Sequence, residues 1–298
     1  MNYRTIAVTI CSLIFGTLAV HAEPWTVSID AGLTLTQNAY TNNWVGGEAG
    51  SATWMFLSNS LAEKQINQYI NTKNVLKLQF GQTYTQDQDT KDWNDPEKSS
   101  DLIDFESVLR FDLDTWVDPF ASARIESQFQ DKSDDLKTVA FNPVILTQSV
   151  GAAKVLIKED TRDWTIRLGA GIREFIDRQQ LDPASGSRST ETSADGGLEF
   201  VSDLRTPLAG GRLNLKSKLI VFQALFYSKS EELRKNPRGG DWRTADVNWE
   251  NVLTASITQY LMVNLYTQFL YDKQISRGGR FKQTLGLGLT RKYERVGE

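Results

Sequence analysis

The feature that most constrains the fold is strict alternation of apolar and polar residues over positions 25–36. Successive side chains of a β-strand point to opposite sides, so this alternation gives the strand one apolar face and one polar face. A long strand with these two faces and an aromatic residue at its outer end is typical of a wall between lipid and water. The apolar face comprises Trp25, Val27, Ile29, Ala31, Leu33 and Leu35.

The same period of two recurs along the whole chain and predicts about twelve strands. Single-chain bacterial outer-membrane barrels have an even number of antiparallel strands, which agrees with this count. The predicted fold class is therefore all-β, a transmembrane antiparallel β-barrel that follows a cleaved signal peptide. The predicted strands lie near residues 25–36, 48–58, 73–86, 101–113, 119–130, 146–158, 163–174, 192–203, 211–226, 243–257, 260–271 and 281–293.

The connections between these strands alternate in length, as they do in outer-membrane barrels, which have short turns at one end and longer loops at the other. One connection, 59–72, is long where a short turn is expected, and its Leu61, Ile66 and Ile70 could form a brief helix. Trp and Tyr residues near strand ends, Trp242 among them, predict interfacial aromatic girdles. The long connections are 87–100, 131–145, 176–191, 228–242 and 272–280, and the short ones are 114–118, 159–162, 204–210 and 258–259.

The N-terminus is predicted to be a secretory signal peptide. Arg4 gives a positive start, residues 6–20 form an apolar core, and Val20-His21-Ala22 resembles a cleavage site. The predicted domains are therefore a signal peptide at 1–22 and an outer-membrane β-barrel at 23–298. No later segment is apolar enough for a transmembrane helix, and the mean hydropathy is −0.38. A closed barrel is then the spanning structure that remains, because lipid leaves no partner for unpaired backbone groups.

Two scarce residue types argue against an enzyme. The one cysteine, Cys11, and the one histidine, His21, both lie in the predicted signal peptide. The mature chain would then lack a thiol nucleophile, a His or Cys metal ligand and the side chain most used for acid–base chemistry near neutral pH. The sequence therefore predicts a non-enzymatic protein with no catalytic residues, no cofactor and no metal site.

Two acidic segments are candidate exceptions to that prediction. Asp104 and Glu106 could form an acid–base pair, but Arg110 and Arg124 could neutralise them. The segment 87–97 begins like a calcium loop, yet Lys and Asp stand where a third ligand and a glycine should be. A regular calcium hand is therefore excluded there, and a solvated acidic loop or loose divalent binding are both left open.

Charged residues on the predicted inner face are the most suggestive feature for function. They could pair across strands in a wet interior, or they could form a selectivity filter or a ligand clamp. The near-balance of the two signs argues against a strongly ion-selective pore, which carries a ring of one sign. The candidate lumen residues are Asp104, Glu106, Arg110, Arg124, Glu126, Lys154, Arg167, Arg173, Glu199, Lys216, Lys218, Asp246 and Glu250, with Asp30, Asp112, Lys77, Lys282 and Lys292 beside them.

Five segments of the chain stand out as a set: Asn43-Trp44-Val45-Gly46-Gly47-Glu48, Phe141-Asn142-Pro143, Trp249-Glu250-Asn251, Val263-Asn264-Leu265-Tyr266 and Leu285-Gly286-Leu287-Gly288-Leu289. In these segments the chain resembles an uncharacterised bacterial family, domain of unknown function 3078. The resemblance implies an outer-membrane barrel, and it brings no established activity or functional residues with it.

The expected location is the bacterial outer membrane. The expected partners are membrane lipid, lipopolysaccharide and the barrel-assembly machinery, whose signal the final strand, 281–293, resembles. No basic patch interleaves with aromatic residues, so nucleic-acid binding is not expected. The leading functional hypothesis is passage or binding of small polar solutes through a narrow charged lumen. The alternative is a structural or surface-interaction barrel with a plugged lumen, and a barrel enzyme ranks third.

Overall fold

The computed structural model describes residues 24–40, 48–134, 136–182, 185–258 and 261–296. Twelve strands form one closed antiparallel barrel, which confirms the predicted fold class and strand count. The predicted signal peptide lies outside the described residues. The barrel strands are β1 (Thr26–Asn38), β2 (Ser51–Asn67), β3 (Ile70–Thr85), β4 (Glu97–Phe111), β5 (Asp118–Ser127), β8 (Val144–Lys158), β9 (Asp163–Leu181), β10 (Arg188–Leu208), β11 (Leu213–Tyr227), β12 (Asp246–Ser256), β13 (Leu261–Tyr271) and β14 (Arg280–Val296).

Pairing of the first and last strands closes the barrel. β1 pairs with β14 from Thr26↔Val296 to Thr34↔Gly288, and with β2 along its full length. This arrangement leaves no free sheet edge, which is the condition for a sheet to cross lipid. Two further strands, β6 (Gln130–Asp131) and β7 (Val139–Ala140), form a small ribbon in the connection between β5 and β8.

Long and short connections alternate around the barrel, as the sequence predicts. We call the end with the long connections the loop end and the other end the turn end. The one predicted exception is wrong: β2 continues to Asn67, and two residues join it to β3. The strand pattern was hidden there because Ser58 and Ser60 occupy the apolar face of β2 while Leu57 occupies the polar face.

The outer face of the barrel is apolar and exposed. Register places Val150, Leu168 and Leu198 on this face, and they are 61%, 59% and 49% exposed. A soluble protein would bury such a continuous apolar surface, whereas lipid covers it in a membrane barrel. Within the described residues no helix is long and apolar enough to cross a membrane; the helical turns are Ala209–Gly211, Ser230–Leu233 and Asp241–Arg243.

Small residues on the inner face of β8 and β9 leave room for two aromatic rings. A Cβ on Gly169 would lie 3.1 Å from Cζ of Phe120 and 2.4 Å from the carbonyl oxygen of Val150. A Cβ on Gly171 would lie 3.4 Å from Cε2 of Phe222. This wall is therefore thin, and the rings of Phe120 and Phe222 fill part of the lumen beside it.

Candidate functional site

Strand register settles which predicted charges face the lumen. Inward residues are those that alternate with the exposed apolar positions and pair across strands with other inward residues. Lys292 on β14 is in register with Asp30 on β1, and the structure describes the backbone of Lys292 but not the surroundings of its side chain. The inward set contains Asp104, Glu106, Arg110, Arg124, Glu126, Arg167, Arg173, Glu199, Lys216, Lys218, Asp246 and Glu250, together with Asp30, Lys77 and Lys282.

The assignment of Lys154 to the lumen is wrong. Register pairs Lys154 with Ile166 on the outer face, and its Nζ lies 2.5 Å from the carbonyl oxygen of Trp116. The same ammonium lies 5.4 Å from the Trp116 ring centroid, and Trp116 is 80% exposed. The sequence misleads here because residues 151–153 are all small and give no contrast between the two faces.

A two-point ion pair of the lumen joins Asp104 to Arg124. Two parallel hydrogen bonds of 2.8 and 2.9 Å run from the Arg124 guanidinium to the Asp104 carboxylate, which is 2% exposed. Arg124 also lies 2.9 Å from Glu126. A planar guanidinium suits this two-point contact. Asp104 is thus engaged in an ion pair and is not a free carboxylate.

Glu106 lies two residues after Asp104 on β4, closer to the turn end, and its carboxylate accepts bonds from two cations. Arg167 NH2 is 2.5 Å from Oε1, and Lys218 Nζ donates to Oε2. Glu106 is on β4 and Lys218 on β11, which are five strands apart in a ring of twelve. The pair therefore crosses the lumen from nearly opposite walls.

Two further ion pairs cross the lumen in the same way. Lys77 on β3 lies 2.6 Å from Glu250 on β12, and Lys73 on β3 lies 3.8 Å from Asp203 on β10. The strands of each pair are again five apart around the ring. The crossings follow one another along the barrel axis, with Lys73 nearest the turn end and Lys77 nearest the loop end. Together they bridge the lumen in three tiers.

Other lumen charges pair near the turn end. Arg110 lies 2.9 Å from Asp112 and 3.5 Å from Asp118, and Lys216 lies 2.6 Å from Asp30. These contacts neutralise the lumen locally. Most of the predicted lumen residues therefore fit the first of the two interpretations above, in which opposite charges pair with one another in a wet interior.

A polar cavity of about 150 Å³ remains between the bridges and the loop end. We call it the outer chamber. Arg173 binds Asp195 through two bonds of 2.9 and 2.5 Å and lies 2.7 Å from Asp246. Its guanidinium stacks on the Phe222 ring, 3.9 Å from the centroid. The charged residues that line the chamber are Arg124, Glu126, Arg173, Glu199, Asp246, Asp272 and Arg280.

The connection at 228–245 folds into the mouth of the barrel. Trp242 is buried and packs with Phe222, Ala224 and Tyr227. The prediction that Trp242 belongs to an outer aromatic girdle is therefore wrong, because its ring contacts the inward-facing Phe222. Phe222 also lines the outer chamber, so the loop packs against one of the residues that form its wall.

The sequence-based set missed further inward charges, among them Lys73, Asp195 and Asp203. Each lies an even number of residues from a predicted lumen charge on its own strand, Lys77 or Glu199. The alternation of faces along each strand is therefore the signal in the sequence that could have identified them.

The acidic segment at 87–97 folds as a tight turn at the loop end. The Asp87 carboxylate accepts bonds from the backbone N–H groups of Thr90 at 2.8 Å and Asp89 at 2.9 Å. These bonds, led by that of Thr90, lower the pKa of Asp87 below its ordinary value. Among the described residues no cluster of His, Cys, Asp or Glu has a geometry that could hold a metal ion.

A family model described as a protein of unknown function, DUF3078, matches residues 35–132, about a third of the chain. The match confirms the predicted resemblance and includes the segment Asn43–Glu48. The other segments that carry the resemblance lie beyond the matched region. No curated protein matches the sequence significantly.

Solved barrels share the architecture at low similarity. The translocator domain of the autotransporter NalP from Neisseria meningitidis is 11% identical, with 90% of this chain and 88% of that chain covered and a TM-score of 0.38. For the COG4313 outer membrane channel from Pseudomonas putida F1 the identity is 13%, the coverage 95% and 100%, and the TM-score 0.41. At these values the similarity says nothing about what this chain binds. The protein is thus a closed twelve-stranded β-barrel that is similar to the DUF3078 family over residues 35–132.

Proposed function

We propose that this protein is an outer-membrane β-barrel that holds small polar solutes at the loop end of a lumen closed by ion pairs. The observation that carries the proposal is the set of crossings Lys73–Asp203, Lys218–Glu106 and Lys77–Glu250, each from nearly opposite walls. An open porin keeps a water-filled channel instead. The outer chamber is the space that the crossings leave for a solute.

The proposed location rests on the two faces of the wall. An exposed apolar exterior requires lipid, and the paired charges of the interior require shelter from it. Membrane lipid and lipopolysaccharide would then contact the outer face, and the barrel-assembly machinery would insert the chain. The proposed function is not enzymatic, since the inward carboxylates Asp104 and Glu106 form ion pairs with arginines.

Conductance in a planar bilayer tests whether the lumen is closed. We expect the wild type to show no steady conductance, and Lys77→Ala with Glu250→Ala to show discrete open steps. The double variant removes one positive and one negative charge together, so it adds space without changing net charge. The matched control is Arg162→Ala with Glu159→Ala, which removes an exposed ion pair of 3.5 Å in the turn between β8 and β9 and leaves the crossings intact.

A steady wild-type conductance would overturn the closed lumen and favour the second candidate, passive passage of small solutes. One observation favours that candidate: the crossings consist of side chains, and in the described residues no folded segment fills the barrel between them. Side-chain bridges can open under voltage or salt. An open fraction that rises with salt concentration would indicate such gating.

A further inference from the structure

The outer chamber is lined by a cation, Arg280, and a carboxylate, Glu199, for which the described residues provide no ion pair within 4 Å. Two of its three arginines are engaged, Arg124 with Asp104 and Arg173 with Asp195. The third is Arg280, the first residue of β14. Its Nε is buried and has no hydrogen-bond partner within the described part of the chain. Arg280 therefore brings to the chamber wall a guanidinium that has a buried donor without a partner and no ion pair among the described residues.

The carboxylate is that of Glu199. It is 8% exposed, and among the described residues its one hydrogen bond comes from Ser149 Oγ at 2.5 Å. A hydroxyl group satisfies part of the carboxylate but supplies no charge, and the nearby Arg167, which attracts Glu199, is itself bonded to Glu106. Asp272 also lines the chamber, but its carboxylate is turned to its own loop and accepts the backbone N–H of Gln274 at 2.9 Å.

Glu199 and Arg280 line the same cavity and do not pair with each other. A buried or half-buried charge that makes no ion pair of its own is unfavourable, so each of them favours a ligand group of opposite sign. A molecule that carries both signs satisfies both groups at once. A molecule with a single charge would leave either Glu199 or Arg280 without a group of opposite charge.

The size of the chamber limits that molecule. At about 30 Å³ per water, a cavity of 150 Å³ holds about five waters. A ligand of about six non-hydrogen atoms fills the same volume, which is the size of a small amino acid.

We propose that the outer chamber binds a small zwitterion, with the carboxylate on Arg280 and the ammonium group on Glu199. This inference rests on the proposed function, because it names the class of solute that the closed lumen holds. The neighbouring Arg173 and Asp246 stay paired and form the rest of the polar wall.

Calorimetric titration of the refolded barrel with alanine tests the inference. We expect alanine to bind, and acetate and ethylammonium, which each carry one of its charges, to bind about tenfold more weakly or worse, because each leaves one charge unpaired. Arg280→Gln and Glu199→Gln should each weaken alanine binding by about tenfold or more. Arg110→Gln, at the turn end, is the matched control and should leave the affinity unchanged.

Equal affinity for acetate and alanine would overturn the inference in favour of a simple anion site. Absence of alanine binding, or unchanged binding in both chamber variants, would also overturn it. Should Arg280→Gln fail to fold, Arg280→Lys keeps the charge and is expected to retain alanine binding. Bilayer conductance is measured separately, so an open wild-type pore that still binds alanine would contradict the closed lumen and not the chamber.

Discussion

At the residue scale, Asn142 shows how one side chain holds a long loop against the barrel. It is fully buried, and its Nδ2 donates to Asp131 and Asp177, each at 2.7 Å. Its Oδ1 accepts the backbone N–H of Arg178 at 2.7 Å. The amide thus joins the connection at 128–143 to the end of β9, where two carboxylates and a backbone donor meet.

Asn142→Ala should loosen this connection without unfolding the barrel. The change removes three hydrogen bonds, two of them to carboxylates, and bonds to charged groups contribute about 1.5–3 kcal/mol each. We expect faster hydrogen exchange of the backbone amides of residues 129–141, measured by mass spectrometry, with an unchanged melting temperature. Asn38→Ala, which removes one exposed bond to Ser51, is the control. Unchanged exchange in the loop would contradict the role of Asn142.

The attachment of this loop should depend on pH through Asp131, which lies outside the membrane. Burial acts to raise the pKa of Asp131, but bonds from the Ser133 N–H and the Asn142 amide outweigh it and lower the pKa. A lowered pKa in the folded state stabilises the loop fully above the ordinary Asp value of about 3.9, and the effect is lost as the pH falls through the lower pKa.

We therefore expect amide protection in the loop, corrected for intrinsic exchange rates, to be equal at about pH 7 and 5 and to fall below the ordinary Asp range. Asp131→Asn keeps the shape and removes the titrating group, so its profile should be flatter in acid. A loss of protection already near neutral pH would point to a different group.

At the element scale, the period of two predicted all twelve barrel strands, and the errors lie where polarity contrast is weak. The second half of β2 was missed because Ser58 and Ser60 face lipid. Partners across the lumen were harder to predict, since Lys77 and Glu250 are 173 residues apart and meet only through the stagger of a closed barrel. The alternation along a strand places a side chain on the inner or the outer face. It does not fix the position of that side chain along the barrel axis, which decides its partner across the lumen.

The two faces of β9 can be tested with one substitution at two positions. Leu168 is on the outer face and Thr165 on the inner face. An arginine on the lipid face near the bilayer centre costs about 2–4 kcal/mol, so Leu168→Arg should be the more harmful change. Folding yield into liposomes measures the difference. Equal yields, or the reverse order, would show that the assigned faces are wrong.

At the scale of the whole molecule, the alternation of loops and turns fixes the orientation. The loop end should face outward from the cell, because outer-membrane barrels place longer loops outside. A broad-specificity protease added to intact cells should then cut near Lys91 or Arg234, whose side chain is 78% exposed, and spare residues 114–118. Cutting confined to permeabilised cells would reverse the orientation. Immunoblotting with tags at each end measures the fragments.

The charge balance of the lumen predicts how selectivity changes. Arg124 and Arg167 hold Asp104 and Glu106, and both arginines are buried. Replacing both arginines by Ala removes two positive charges and two bulky side chains, so conductance should rise and selectivity should shift toward cations. Reversal potentials in a salt gradient measure this. An unchanged conductance and selectivity would show that these arginines do not line the restriction.

The crossings also set an order of events during assembly. Lys218 and Glu106 are 112 residues apart, and the strands that carry them are neither neighbours in sequence nor in the sheet. Contacts of such long range form after the local hairpins, since the entropy of closing the intervening chain must first be offset. These ion pairs should therefore be absent from the rate-limiting state for folding and should act on the unfolding rate instead. The ion pairs that close the lumen would then form late in folding and would also slow the unfolding of the finished barrel.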